Sequence, residues 1–318
     1  MRILKVTLIV MILVSQVIIP QTASKGVYHK ESGVSVTGKK IGILLVNHGS
    51  RSKTWRNTLL ALEDSVRDPL LSLDHVEGVK TAFMEYNEPS IATRMKEFDR
   101  EGFSDVVIIP VFLTVSPHTF DDIPTIIGQK QDPTSLQMLK IEKIERYIPA
   151  AKVMIAPNLD FTSVLKSNIL RRVSALSKDA SIEGLVLIAY GDEAYEKEWG
   201  RLMDDVATFV RSKTGIAPHS YGWCGHIAHY DPQRTTDAIN SVLAMKKKAL
   251  VLPVLVAHDE MFQVKIIGDG IKLVNDHQSR VSYRPDAILP DREVQQWIID
   301  IAETYVQRIR RTFTETVR

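Results

Sequence analysis

Two histidines and a glutamate, His48, His118 and Glu85, stand where three predicted strands run out into turns. Neutral imidazole binds first-row divalent cations well and takes up protons near neutral pH. Two such rings on one rim could hold a metal with coordination positions left open, and Glu85 could add a carboxylate. A histidine at a strand end can equally cap a helix or bond a backbone group. The chemistry therefore depends on whether the chain brings the three side chains together.

The elements that would do so are legible as hydrophobic runs. Ile41–Val46 is a short continuous apolar stretch of the kind a parallel strand buried on both faces needs, and it runs directly into Asn47-His48-Gly49-Ser50-Arg51. In an open α/β sheet, ligands bind at that carboxyl end. A second strand over Asp105–Leu113 delivers His118 just past its end, and a strand over Gly78–Tyr86 carries Glu85 between them. Helices are expected at 54–66, after Asn87-Glu88-Pro89-Ser90 with Pro89 in the first turn, and at 161–176. A fourth strand is expected over Lys152–Ala156. Asp121-Asp122-Ile123-Pro124 either begins a further helix or is turned by its proline. Strands alternating with helices predict an α/β fold with a parallel, doubly wound sheet.

Beyond a polar linker, Ser177–Glu183, the series starts again with a strand over Gly184–Tyr190 and Gly191-Asp192-Glu193 in the place of the turn. A helix near 199–211, a segment over 220–229, a strand over Ala249–Val256 and a long helix over Arg292–Arg310 follow. Gly49 and Gly191, Pro89 and Pro232, and Pro110 and Pro253 are separated by 142, 143 and 143 residues. A constant offset across unrelated motifs is what duplication predicts. The expectation is two similar flavodoxin-like domains, 39–178 and 184–318, each a parallel sheet flanked by helices, facing across a cleft. The offset pairs His48 with Tyr190, Ser50 with Asp192, Arg51 with Glu193, Glu85 with Ala228 and His118 with Met261. The reactive groups belong to the first domain alone.

At 318 residues the chain can bury two ordinary cores. Forty basic against 38 acidic residues carry no signature of nucleic-acid binding. One cysteine, Cys224, excludes an internal disulfide and a thiolate cluster, and it reads as a buried structural thiol. Arg2 and Lys5, the apolar Val6–Ile19 and the small residues near Ala23 and Ser24 read as a cleavable export signal, 1–24, followed by a flexible leader, 25–38. The expectation is export to the periplasm with no stable membrane span after processing, the alternative being an uncleaved anchor, for which the apolar run is short. Gly49-Ser50 could bind phosphate at a helix start, but neither GxGxxG nor a Walker lysine accompanies it. Ser50 also lacks the GxSxG context of an esterase.

NHGSR after a first strand, FMEYNEPSI around Glu85 and IIPVFLTVSPHTFDDIP containing His118 together resemble the sirohydrochlorin cobaltochelatase family, the class II tetrapyrrole chelatases, in its long, internally duplicated form. The resemblance implies a chelatase fold and ATP-independent insertion of a divalent metal into a metal-free tetrapyrrole. The metal is usually cobalt, and in relatives iron or nickel. Carried over by position, it makes His48 and His118 the metal-binding, proton-accepting pair and Glu85 a helper. Arg51 and Ser50 are the expected substrate contacts, and Thr119–Ile123 borders the cleft. Asn47 stands where glycine commonly precedes HGS in the family. The export signal favours a rival, a noncatalytic periplasmic carrier of haem, a tetrapyrrole or metal; a third reading is a retired chelatase acting through protein contacts. In the second domain His226-x-x-His229, with His219 and His258 near other strand ends, could offer an axial haem ligand or a second metal site, or serve as scaffold. A homo-oligomer is compatible with all of these.

Overall fold

A computed structural model describes residues 39–159 and 161–315; the expected signal and leader lie outside the described residues. The first half runs β1 (Ile41–Asn47), α1 (Lys53–Leu71), β2 (Val76–Phe83), α2 (Ile91–Arg100), β3 (Asp105–Pro110), short helices α3 (Ile123–Ile126) and α4 (Pro133–Ile141), β4 (Lys152–Ile155) and α5 (Phe161–Leu176). The second runs β5 (Glu183–Ala189), α6 (Glu196–Thr214), β6 (His219–Trp223), α7 (Gln233–Leu243), β7 (Lys248–Val254), α8 (Gly268–Lys272), α9 (His277–Arg280), β8 (Val281–Tyr283) and α10 (Arg292–Glu315).

These strands form two parallel four-stranded sheets of the same topology, β2-β1-β3-β4 and β6-β5-β7-β8, flanked by helices. The central strands β1 and β5 are buried along their whole length, which explains why they are apolar without alternation. Pro110 ends β3 and Pro253 is the last residue but one of β7, and neither breaks a ladder. Each lies beyond the last paired residue of the neighbouring strand, Ile108 against β4 and Val251 against β8, where no bond would use the missing N–H.

Several boundaries differ from the sequence expectation. β3 stops at Pro110 rather than at Leu113, and a loop carries the chain to His118, the first residue of a π-helical turn, His118–Asp122. Pro89 precedes α2 instead of opening it: the N-cap is Ser90, whose hydroxyl accepts from the Thr93 N–H. Pro124 lies in the first turn of α3, where its missing donor costs nothing.

One large core lies between the sheets. Ile41, Ile43 and Leu45 of β1 and Leu185 and Leu187 of β5 all belong to it, with the apolar stripes of α1, α5, α6 and α10. The outer faces of the two sheets have separate cores. The helices do not all stay with their own sheet. α5, from the first half, packs on α6 and β7; α10, the last helix, packs on α1 and β3. On α10, Val294, Ile298, Ala302, Val306 and Ile309 recur at helical spacing and are buried; burial of each large one is worth about 1.5–3 kcal/mol. Polar ties follow the same crossing, since Asn168 of α5 donates to the Ile288 carbonyl at 3.2 Å and to Asp291 at 2.8 Å.

Candidate metal centre

The parallel register brings His48 and Glu85 together. The chain leaving β2 continues beside the end of β1, with the Met84 N–H donating to the Asn47 carbonyl and the Glu85 N–H to the His48 carbonyl, both at 2.8 Å. Gly49 follows with φ +104°, and a Cβ there would stand 2.0 Å from the Glu85 carbonyl oxygen. Only glycine fits that close crossing. His118 arrives from the loop after β3, and its ring meets that of His48 edge to face at 4.8 Å between centroids.

One ligand atom from each of His48, Glu85 and His118 lies within 4.8 Å of the others, and this is the one such group found among the described residues. Both rings have their Nδ1 engaged. That of His48 donates to the Gly49 carbonyl at 3.1 Å, and that of His118 donates to Asp122 at 2.7 Å. Each ring therefore keeps Nε2 as its free lone pair, and a carboxylate behind a ligating imidazole both fixes the tautomer and raises ligand basicity. The His48 Nε2 is 3.8 Å from Glu85 Oε2. Side-chain exposures of 34% for His48 and 27% for His118 leave the centre open on one side, while Glu85, at 10%, forms its floor. Two imidazoles and a carboxylate suit a first-row divalent cation with positions to spare.

The electrostatics separate the two histidines. Burial, and then the facing His118, hold the His48 imidazole down at about 4, so it is neutral at physiological pH. Burial also opposes protonation of His118, but the Asp122 hydrogen bond and the charges of Glu85 and Asp122 outweigh it and raise that ring above its ordinary value. Glu85 is raised by burial, and Asp122 is lowered because its bonds to His118 and Ser135 overcome the cost of burying it.

The other expected residues fall differently. Arg51 is exposed, its guanidinium 5.5 Å from the ring centroid of Tyr86, which itself lies 6.1 Å from the His48 ring. The Ser50 hydroxyl is already committed, donating to Asp259 of the second half at 2.6 Å. The structural counterpart of Glu85 is Gly225 rather than Ala228, because the Gly225 N–H bonds the Tyr190 carbonyl as that of Glu85 bonds His48. The second half makes a longer turn there, His226–Ala228, which restores the offset at Pro232. His219 pairs with Asp204 at 3.0 Å, His226 bonds the Tyr190 hydroxyl at 3.2 Å, and His258 donates to the Pro285 carbonyl at 2.7 Å. His229 closes its turn at φ 52°. None of them joins a metal-holding group among the described residues. Cys224 is buried, and burial pushes its thiol up. Asp122 and Asp259 were the residues that sequence reasoning missed. The i,i+4 spacing from His118 could have signalled the first, while nothing local signals the second.

Comparison with known proteins covers the segment that carries these residues. Residues 42–176 match the CbiX family. The sirohydrochlorin cobaltochelatase of Methanothermobacter thermautotrophicus is 37% identical over 89 residues, 28% of this chain and 59% of that one. That of Methanococcoides burtonii is 33% identical over 97 residues, 30% of this chain and 68% of that one. Against the first-ranked curated relatives the chain spans 59% to 60% of their length. The sirohydrochlorin chelatase SirB from Bacillus subtilis subspecies spizizenii, solved in complex with cobalt, superposes with a TM-score of 0.59 over 84% of this chain and 96% of that one. At 16% identity that likeness speaks for the fold. With the strand-end motifs falling inside the matched region, the chain belongs to the sirohydrochlorin cobaltochelatase family, CbiX.

Proposed function

We propose that the protein inserts a divalent metal into a metal-free tetrapyrrole of the sirohydrochlorin class, with cobalt as the metal first in order and iron and nickel behind it. The observation that carries this reading is the convergence of His48, Glu85 and His118 at one open rim, each imidazole with a free Nε2. Insertion exchanges two pyrrole N–H protons for one M²⁺, so the site must supply ligands that release the metal and bases that take protons. His48, held neutral, serves as a ligand across the physiological range. His118, made more basic by Asp122, is the better proton acceptor, and Glu85 balances the cation's charge. ATP-independent insertion is part of the same proposal. Arg51, exposed near the rim, is suited to a carboxylate of the macrocycle.

The amino-terminal sequence supports action outside the cytoplasm, and it favours one rival on the same site: a periplasmic carrier of a metal tetrapyrrole. No helix of the described residues is long and apolar enough to cross a membrane. The deciding experiment mixes the chain from Lys25 onward anaerobically with sirohydrochlorin and cobalt(II) and follows the absorbance of the free macrocycle. Its loss over many turnovers at substoichiometric protein supports a chelatase. Saturable binding of haem with no insertion makes the protein a carrier.

A further inference from the structure

The turn that carries His48 is held from the other half of the molecule. Ser50 Oγ donates to Asp259 Oδ2 at 2.6 Å, while Ser52 and Thr54 donate to the two oxygens of Glu260 at 2.9 and 2.8 Å. Ser50 Oγ also accepts from the Ser52 N–H at 3.0 Å, so the hydroxyl links the turn to the start of α1. The first half adds Asn87, whose Oδ1 accepts from the Ser50 N–H at 3.1 Å. Asp259 is itself rigidly placed. It is buried, its Oδ1 accepts from the Met261 N–H, and its own N–H donates to Gln263 Oε1, both at 3.0 Å. A short bond to a fixed, buried carboxylate is the strong kind.

The repeat supplies a control within the molecule. The offset that pairs His118 with Met261 pairs Ser116 with Asp259, and Asp192 stands for Ser50. There the corresponding strap is not made: Asp192 accepts from the Ala194 and Tyr195 N–H groups of its own half, and the buried Ser116 hydroxyl has no partner among the described residues. The strap exists only beside the turn that bears the histidine.

We infer that Asp259 is a positioning residue for the metal centre, fixing through Ser50 where the His48 ring stands relative to Glu85 and His118. This rests on the metallation reading above. It gives the second half, which lacks the reactive groups, a defined part in the reaction.

The test uses the full chain with Ser50→Ala, Asp259→Ala and both changes. Cobalt(II) binding is read from its visible absorption without macrocycle, and insertion kinetics are read with sirohydrochlorin. Each single change should weaken cobalt(II) binding and lower kcat on the order of tenfold, the usual cost of losing an outer-shell partner, with KM for sirohydrochlorin unchanged. The double variant should be no worse than the more impaired single one, since both remove the same bond. Asp259→Ala also removes the Met261 cap; Ser50→Ala, checked by an unchanged melting temperature, leaves that cap intact. Losses that multiply in the double variant overturn the proposal. So does a loss confined to KM with cobalt(II) binding intact, which makes Ser50 a substrate contact. If the wild-type chain binds cobalt(II) yet leaves sirohydrochlorin metal-free, the metallation reading fails, and the cobalt(II) titration still decides the strap.

Discussion

The ends of β1 and β5 are the same piece of backbone carrying different chemistry. In both, a buried strand runs into a glycine with positive φ, Gly49 at 104° and Gly191 at 82°, and the residue before it accepts a hydrogen bond from the neighbouring chain. In the first half that residue is His48 and the donor is Glu85; in the second they are Tyr190 and Gly225. A Cβ on Gly225 would lie 2.6 Å from the Tyr190 carbonyl oxygen, so the second framework has no room for a carboxylate at that place. Tyr190 instead packs against His226 and Phe262, each at 5.4 Å between ring centroids. The comparison teaches that the strand-end crossing is fixed by backbone geometry, whereas the reactive set is an addition that one copy carries and the other does without.

The sharpest way to break the comparison is to give the first half the residues of the second. His48→Tyr or His118→Met should lower cobalt insertion by at least about a hundredfold, the range expected for losing a ligand that also handles protons. Steady-state loss of sirohydrochlorin absorbance measures it, and near-normal rates in both variants would remove the proposed centre.

A smaller effect separates the two histidines. Protons compete with metal for His118, so insertion should fall as the pH drops through a value above 6.5, the ordinary histidine value, while His48, held at about 4, adds no inflection in that range. Asp122→Asn keeps an acceptor for the ring Nδ1 but removes the charge that raises it. The acid limb should move to lower pH and the plateau rate fall on the order of tenfold. A limb that stays in place would detach Asp122 from the titration.

The smallest effects belong to the second half. His219→Ala and His258→Ala remove a partly exposed pair with Asp204 and a bond to the Pro285 carbonyl. Insertion rates should stay within about twofold, and the loss of the His219 pair should cost about 0–1 kcal/mol in a denaturant titration.

Much of this was legible in the sequence because the signals are local. Continuous apolar runs gave the central strands, the repeated glycine and prolines gave the second sheet, and the strand-end motifs gave the side chains that meet at the rim. The errors lie where local rules compete with context. The apolar Val111, Phe112 and Leu113 read as more strand, but β4 has already ended and they turn inward as loop. Glu85 was paired with Ala228 because a constant offset ignores the longer turn at His226–Ala228. Asp259 is 209 residues from Ser50, and no local pattern reports a contact of that span. The exchange of α5 and α10 was equally hidden, since an amphipathic stripe says that a helix is covered without saying by what.

That exchange has a temporal side. α10 is made after both sheets, yet Arg310 bonds Asp74 at 2.7 Å, Phe313 sits against His75, and the helix packs on α1 and β3 of the first sheet. A nascent chain can pair β1 with β2 and β3 early, but α1, which packs against α10, lacks that cover until Arg292–Glu315 has been made. The first sheet is thus completed by a helix made after the second, and a chain cut short before Arg292 would expose an apolar face that chaperones and proteases read as unfinished.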